Sequence, residues 1–294
     1  MAKTPRSWLF VPGDSEKKLG KASATGADAI IVDLEDSVAP QNKPTAGALT
    51  GEWLRSADRQ NGQAAQQLWV RINPLDGPYW RGDLSAVLGS APEGLIVPKA
   101  EGPAQLEQFA AELAGLESRC GIAVGSTKIL PLVSETASAA ITVPSYFGAP
   151  LTRLAGMMWG AEDLSAAIGA ARKYDADGHW TDTFRMVRAT VLLTAHACGV
   201  PAIDTLHADF RDEAGLDRFA RAARADGFAG MLAIHPGQVA VINAAFTPSE
   251  AELAGARAIV AAFAARPDAG TLSLDGKMLD KPHLELARRM LGEA

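Results

Sequence analysis

Eight short apolar runs recur along the first four-fifths of the chain, at residues 7–11, 29–34, 68–72, 94–97, 127–134, 154–160, 199–204 and 229–234. They are continuous rather than alternating. A strand half-exposed to water alternates apolar and polar residues, whereas one covered on both faces does not, so these runs predict a parallel sheet buried on both sides. Parallel neighbours need crossover connections, usually helices. Helical stretches are predicted between the runs at 15–25, 43–60, 103–116, 183–197 and 212–225. Eight such units in about 235 residues match a (β/α)₈ TIM barrel of the α/β class. A doubly wound open sheet is the alternative, but no GxGxxG turn follows any of the runs.

The remaining residues read as a helix near 248–265, a loop over 266–276 and a short helix over 282–291. No low-complexity linker separates them from the rest. The expected organisation is a barrel over residues 1–245 with a C-terminal helical extension over 246–294, an appendage rather than an independent domain.

Composition removes several function classes. Of 294 residues, 28 are Lys or Arg and 34 are Asp or Glu, a net charge of -6 with no local basic tract, which argues against nucleic acid. No apolar stretch approaches the roughly 20 residues that cross a bilayer. The two cysteines, Cys120 and Cys198, have neither CxxC nor Cys/His spacing and read as reduced thiols of a cytoplasmic protein.

In a barrel of this kind the chemistry lies at the C-terminal ends of the strands. The polar residues there are Asp33, Glu35 and Asp36; Arg71 and Asn73; Lys99; Glu135; Glu162 and Asp163; Asp204; and His235. Glu135 and Asp163 each close an apolar run. Two carboxylates converging at buried strand ends repel unless a cation sits between them, and a hard dication with oxygen ligands, Mg²⁺, suits such a pair. Alternatively, each caps the helix that follows. Arg71 carries a planar fork that binds a carboxylate through two parallel hydrogen bonds, which fits a small 2-keto acid beside the metal; an ion pair with a neighbouring acid is the other reading. Lys99 reads as a neutraliser of a buried acid. Asp33, Glu35 and Asp36 read as outer acids that orient ligands and waters around the metal, while Asp204 and His235 read as structural.

Six motifs occur in register: Arg6-Ser7-Trp8-Leu9-Phe10-Val11-Pro12, Asp33-Leu34-Glu35-Asp36-Ser37-Val38, Val70-Arg71-Ile72-Asn73, Val97-Pro98-Lys99-Ala100-Glu101, Gly160-Ala161-Glu162-Asp163-Leu164 and Ile234-His235-Pro236-Gly237-Gln238. Together they resemble the citrate lyase beta subunit family, whose relatives include malyl-CoA and citramalyl-CoA lyases. The resemblance runs from Arg6 to about Arg288. It implies an Mg²⁺-dependent barrel that cleaves a 3-hydroxyacyl thioester, with Glu135 and Asp163 as metal ligands, Arg71 as keto-acid clamp and backbone N–H groups near Ala161 and Glu162 assisting. It further implies a homotrimer in which Asp280, in the tail segment 275–282, reaches the neighbouring subunit's barrel as acid/base. The expected substrate is citryl-CoA, or citryl carried on an acyl-carrier protein with a transferase subunit as partner, giving oxaloacetate and an acetyl thioester. Malyl-CoA or citramalyl-CoA lyases, a malate synthase-like enzyme, a pyruvate-dependent class II aldolase and a subunit working only within a complex are the rivals. After Lys43 the chain departs from the family pattern, with Ala46-Gly47 where members carry Ala-Arg.

Overall fold

The computed structural model describes residues 4–56 and 66–293. Residues 57–60, the end of the helix predicted over 43–60, lie outside them. Eight strands form one parallel sheet: β1 (Ser7–Pro12), β2 (Ala29–Asp33), β3 (Gln67–Arg71), β4 (Gly94–Val97), β5 (Lys128–Pro131), β6 (Met157–Met158), β7 (Ala202–Asp204) and β8 (Gly230–Ala233). Their order is β5-β4-β3-β2-β1-β8-β7-β6, and parallel bridges Ile129↔Leu154 and Leu132↔Met158 join the two ends. The sheet therefore closes as the predicted TIM barrel.

Around it run α1 (Glu16–Ala22), α2 (Lys43–Ser56), α3 (Trp80–Val87), α4 (Pro103–Arg119), α5 (Ala137–Thr142), α6 (Ala161–Ala167), α7 (Asp182–Ala197), α8 (Glu213–Asp226) and α9 (Gly237–Ala245). Gly47 and Gly51 let α2 approach α3: a Cβ at Gly47 would lie 3.2 Å from Ala86 Cβ, and one at Gly51 only 2.4 Å from the Ala86 carbonyl oxygen. A side chain at Gly51 would push the helices apart, whereas one at Gly47 would need Ala86 to give by only a few tenths of an ångström.

Strand period sorts the core into two layers. Ala29 and Ile31 of β2, Trp69 of β3, Ile96 of β4, Leu130 of β5 and Leu232 of β8 pack with one another inside the barrel. Ile30, Val32, Val70, Leu95 and Val97 face the other way and pack with the helices. Counting two residues on from Ile31 and from Trp69 gives Asp33 and Arg71, which are register partners on adjacent strands. The pleat that fills the interior with apolar side chains thus also delivers an acid and a base to its mouth.

At the opposite, N-terminal end of β5, Glu117 is fully buried. It accepts hydrogen bonds from the backbone N–H groups of Gly125 and Thr127 at 2.7 and 2.8 Å, and from Arg153 Nη1 and Nη2 at 2.8 and 2.7 Å. Burial pushes this carboxyl up, but Arg153 and the two N–H groups outweigh it and bring it down to about 2. A lowered carboxylate stabilises the fold above its unfolded value, and that stabilisation is lost as pH falls through the folded value. Glu117→Gln is therefore expected to cost about 3–5 kcal/mol at pH 7, because it leaves Arg153 buried without a counter-charge. In urea titrations the deficit should narrow as pH drops from about 4.5 towards 2. A deficit that does not change over that range would show that the ion pair is not its source.

The chain divides into two compact units, Met1–Phe246 and Thr247–Ala294. The second holds α10 (Glu250–Ala264), β9 (Thr271–Leu274), β10 (Lys277–Asp280) and α11 (Lys281–Leu291) around Phe263, Leu272 and Leu279. The loop expected over 266–276 is corrected here: β9 and β10 form an antiparallel hairpin. Its turn is Asp275-Gly276, with φ of 49° and 76°. Asp-Gly is favoured in two-residue hairpins because both central positions need positive φ.

Candidate active site

Asp33 ends β2 and is buried. Its Oδ1 and Oδ2 each lie 2.7 Å from Arg71, on Nε and Nη2, and they also accept N–H bonds from Glu35 and Ser37. Burial pushes the Asp33 carboxyl up, and the charge and hydrogen bonds of Arg71 more than reverse that, so it is held low and ionised. Arg71 Nη1 stands 2.9 Å from Glu35 Oε2. That oxygen has charge pairing without a well-directed hydrogen bond. The ion-pair reading of Arg71 is thus met, while three of its five N–H groups remain beyond the two given to Asp33. Phe10 lies against the guanidinium, 4.6 Å from ring centre to Cζ.

Glu135 follows β5 and is 3% exposed. Its Oε2 accepts the Lys99 N–H at 2.6 Å. Burial, then the charges of Asp163 and Glu35, push this carboxyl up to about 8, against the opposing pull of Lys99 and Arg71. Glu35 is also raised, chiefly by burial. Lys99 has the left-handed backbone angle φ 49°, uncommon for a residue with a Cβ. Its ammonium pairs with Glu35 Oε1 and lies 3.6 Å from both Asp36 Oδ2 and Asp163 Oδ1. Lys99 thus stands among three carboxylates, and among the described residues this exposed contact is the ion pair of Asp36.

Asp163 does not sit on a strand. The run expected over 154–160 keeps strand geometry only at Met157 and Met158, and Asp163 belongs to the first turn of α6 with Glu162. The periodicity of a seven-residue apolar stretch cannot separate a strand from the start of a buried helix. Helical geometry turns Glu162 outward, where it pairs with Lys173. The Ala161 N–H donates to Thr205 Oγ1 at 3.3 Å. Thr136, not Glu135, caps α5 through the N–H of Ala139. Asp204 accepts from Trp159 Nε1 at 2.6 Å and from Arg188, tying β7 to the end of β6 and to α7. His235 stacks on Phe210 with ring centres 4.9 Å apart.

Asp280 lies at the N-terminus of α11, where its Oδ1 is 2.5 Å from His283 Nδ1 in a reciprocal cap. Two buried residues went unnoticed in the sequence. Lys43 and Asp83 flank Asn73, which appeared there only as a strand-end polar group. A signal existed for Lys43: a cation in the first turn opposes the helix dipole, so it calls for a specific partner.

Four carboxylates, Asp33, Glu35, Glu135 and Asp163, thus gather around two cations, and one of them, Glu135, is raised by its burial and by the charges of Asp163 and Glu35. Such a cluster has the electrostatics of a divalent-cation site. A Cβ at Gly160 would lie 3.0 Å from both Cγ and Oε1 of Glu135, so the bare glycine leaves room for that carboxylate. The donor set fits Mg²⁺, which takes one or two carboxylates and keeps several waters.

The fold and this mouth define a (β/α)₈ barrel with an acid-rich strand-end cluster. Residues 6–236 match HpcH/HpaI aldolase/citrate lyase, and the chain belongs to that family. It is 38% identical over 290 residues to a citrate lyase subunit beta-like protein of Mycobacterium tuberculosis, covering 98% of this chain and 96% of that one. It is 34% identical to a (3S)-malyl-CoA thioesterase of Cereibacter sphaeroides, covering 98% and 94%. The crystal structure of protein CitE from M. tuberculosis, in complex with magnesium, acetoacetate and coenzyme A, superposes with a TM-score of 0.81 at 37% identity, over 100% of this chain and 99% of that one. Among the described residues no helix is long and apolar enough to cross a membrane.

Proposed function

We propose that this chain is an Mg²⁺-dependent carbon–carbon lyase acting on a 3-hydroxyacyl thioester, with citryl-CoA, or citryl on a carrier protein, as substrate and oxaloacetate and an acetyl thioester as products. The observation that carries the reading is Glu135: a carboxyl pushed up to about 8 by its burial and then by the charges of Asp163 and Glu35 calls for a cation, and Arg71 stands in the same cluster to receive a carboxylate. Glu135 and Asp163 would hold the ion. When bound, Mg²⁺ supplies a Lewis acid that stabilises negative charge on the substrate's hydroxyl or keto oxygen. Arg71, oriented by Asp33, binds the adjacent carboxylate; the backbone N–H of Glu162 would assist, and that of Ala161 would do so on leaving Thr205 Oγ1. Lys99 and Glu35 balance the charge of the empty and filled states. As a base takes the substrate's hydroxyl proton, the C–C bond breaks to give the keto acid and a thioester enolate, and an acid must then protonate the enolate at carbon.

Asp280 is assigned that proton transfer, from the tail of a neighbouring subunit in a homotrimer, with His283 holding its carboxylate in place. Asp280→Asn should lower turnover severely while Mg²⁺ binding stays normal. Mixed with an inactive Asp163→Asn variant and reassembled, it should regain about a quarter of wild-type activity, since random mixing pairs an intact barrel with an intact tail at one site in four. A mixture that stays inactive would place the tail on its own barrel, and full activity of Asp280→Asn alone would remove the residue from the mechanism.

The test of the function is a panel of citryl-, malyl- and citramalyl-CoA with Mg²⁺, scored separately for keto-acid and free-thiol release. Keto acid without thiol supports the lyase. Thiol without keto acid would replace it with the thioester hydrolysis that the C. sphaeroides relative's name describes.

A further inference from the structure

Lys43 opens α2 and is buried. Its Nζ donates to the carbonyl oxygens of Leu34 and Glu35, each at 3.0 Å, and to Asn73 Oδ1 at 2.5 Å. All three donors of the ammonium are used. Asn73 Nδ2 donates to the Leu34 carbonyl at 3.0 Å and to Asp83 Oδ2 at 2.8 Å, and the Asn73 backbone N–H donates to the same Asp83 oxygen at 2.8 Å. Asp83 lies in the first turn of α3 and is 4% exposed; burial pushes its carboxyl up, while the Asn73 bonds and the charge of Lys43 pull it down.

The two peptide carbonyls gripped in this way belong to the segment 33–36, whose side chains work in the mouth. Asp33 holds the fork of Arg71, and Glu35 pairs with both Arg71 and Lys99. Leu34 O receives donors from both Lys43 and Asn73, and Asn73 itself sits two residues beyond Arg71 at the end of β3. A buried charge pair bridged by an amide is not a stabilising choice in itself; apolar residues of similar volume are often as good or better. A cation in the first turn of a helix is unfavourable as well. Rigid placement of the peptide groups at 34 and 35 is what these unfavourable terms obtain.

We propose that Lys43, Asn73 and Asp83 are positioning residues that set the acidic segment 33–36 in register and, through Asp33 and Glu35, orient Arg71 for the substrate. The assignment rests on the reading of Arg71 as the carboxylate clamp. It goes beyond it by tracing the clamp's orientation to three side chains that are not assigned to the substrate.

The experiment uses the full-length protein with Lys43→Met, and with Asp83→Asn as an isosteric second variant should the first fail to fold. Two quantities are measured: backbone amide exchange without metal, and calorimetric binding of oxaloacetate with Mg²⁺ present. Exchange is expected to accelerate at Glu35, Ser37 and Val38, whose N–H groups are bonded within the segment, and to stay at the wild-type rate in β1 and β8. Oxaloacetate affinity should fall by about 10-fold, the lower end of the usual range when a residue orienting a binding group is lost and less than the loss of the Arg71 fork itself. In an Arg71→Lys background the same substitution should change affinity less than about twofold, because a residue acting through Arg71 has nothing left to orient. Wild-type exchange at 35–38, acceleration spread over every strand, or an undiminished loss in the Arg71→Lys background would each overturn the proposal. Failure of the wild-type protein to bind oxaloacetate would remove the substrate reading, and the exchange pattern would then decide the positioning claim by itself.

Discussion

Asp163→Asn is expected to abolish Mg²⁺ binding while making the metal-free protein more stable at alkaline pH. The two effects come from one charge. Asp163 is, after burial, the largest influence raising Glu135 to about 8. A carboxyl raised above its unfolded value near 4.5 favours the fold while protonated, and that advantage is lost as pH rises through the folded value. The wild-type protein without metal should therefore lose stability between about pH 4.5 and 8, and removing the neighbouring charge should relieve part of the loss. Lys99 gives up only a 3.6 Å contact with a carboxylate that is 32% exposed, a small term.

With Mg²⁺ the order reverses. At a hundred times its dissociation constant the ion should stabilise the wild type by about 2.7 kcal/mol, and the variant not at all. The gain should be larger at pH 8 than at pH 6, because the ion displaces a proton from Glu135. Turnover should fall about a thousandfold or more, since several kcal/mol of charge stabilisation are lost at about 1.4 kcal/mol per tenfold. Thermal melts with and without Mg²⁺ at both pH values, beside calorimetry, test all of this. Normal Mg²⁺ affinity in a folded Asp163→Asn protein would remove the ligand assignment.

The barrel could be read from sequence because continuous apolar runs have few other destinations, and Asp33 and Arg71 could be placed at its mouth because strand period is two. Element type failed where a run was too short to show its period. Residues 154–160 carry only a two-residue strand, and Asp163 reaches the site from a helix. The 271–280 hairpin went unread although Asp275-Gly276 is a hairpin signal, because only Leu272 and Leu279 of its strands are buried and the apolar pattern is weak. Partnership was the hardest property to infer. Nothing in spacing says that Asp33, rather than a ligand, holds the Arg71 fork, or that Lys43 reaches three oxygens across a helix start. Those facts depend on which strands and helices the closed barrel makes adjacent.

Arg71→Lys should weaken both the substrate and the fold, a combination that separates it from Asp163→Asn. Lysine keeps one positive charge but offers a compact ammonium in place of five donors in a planar fork. Asp33, 1% exposed, would lose at least one of its two 2.7 Å bonds and Glu35 its cationic neighbour at 2.9 Å. A buried acceptor left unsatisfied costs about 1–3 kcal/mol, so denaturant midpoints should fall. Asp33 is held low by Arg71 against its own burial, so its carboxylate contributes stability that is present above its unfolded value of 3.8 and lost as pH falls below it; that contribution should shrink in the variant, narrowing the gap between neutral solution and solution more acidic than about pH 3.8. Oxaloacetate affinity should drop by about 2 kcal/mol, or roughly 30-fold, the scale of one charged hydrogen bond. Mg²⁺ affinity should stay near wild type, because Glu135 and Asp163 are unchanged. If the lysine variant binds oxaloacetate as tightly as wild type but melts earlier, Arg71 serves only to hold Asp33 and Glu35, and the keto-acid clamp must be sought elsewhere in the mouth.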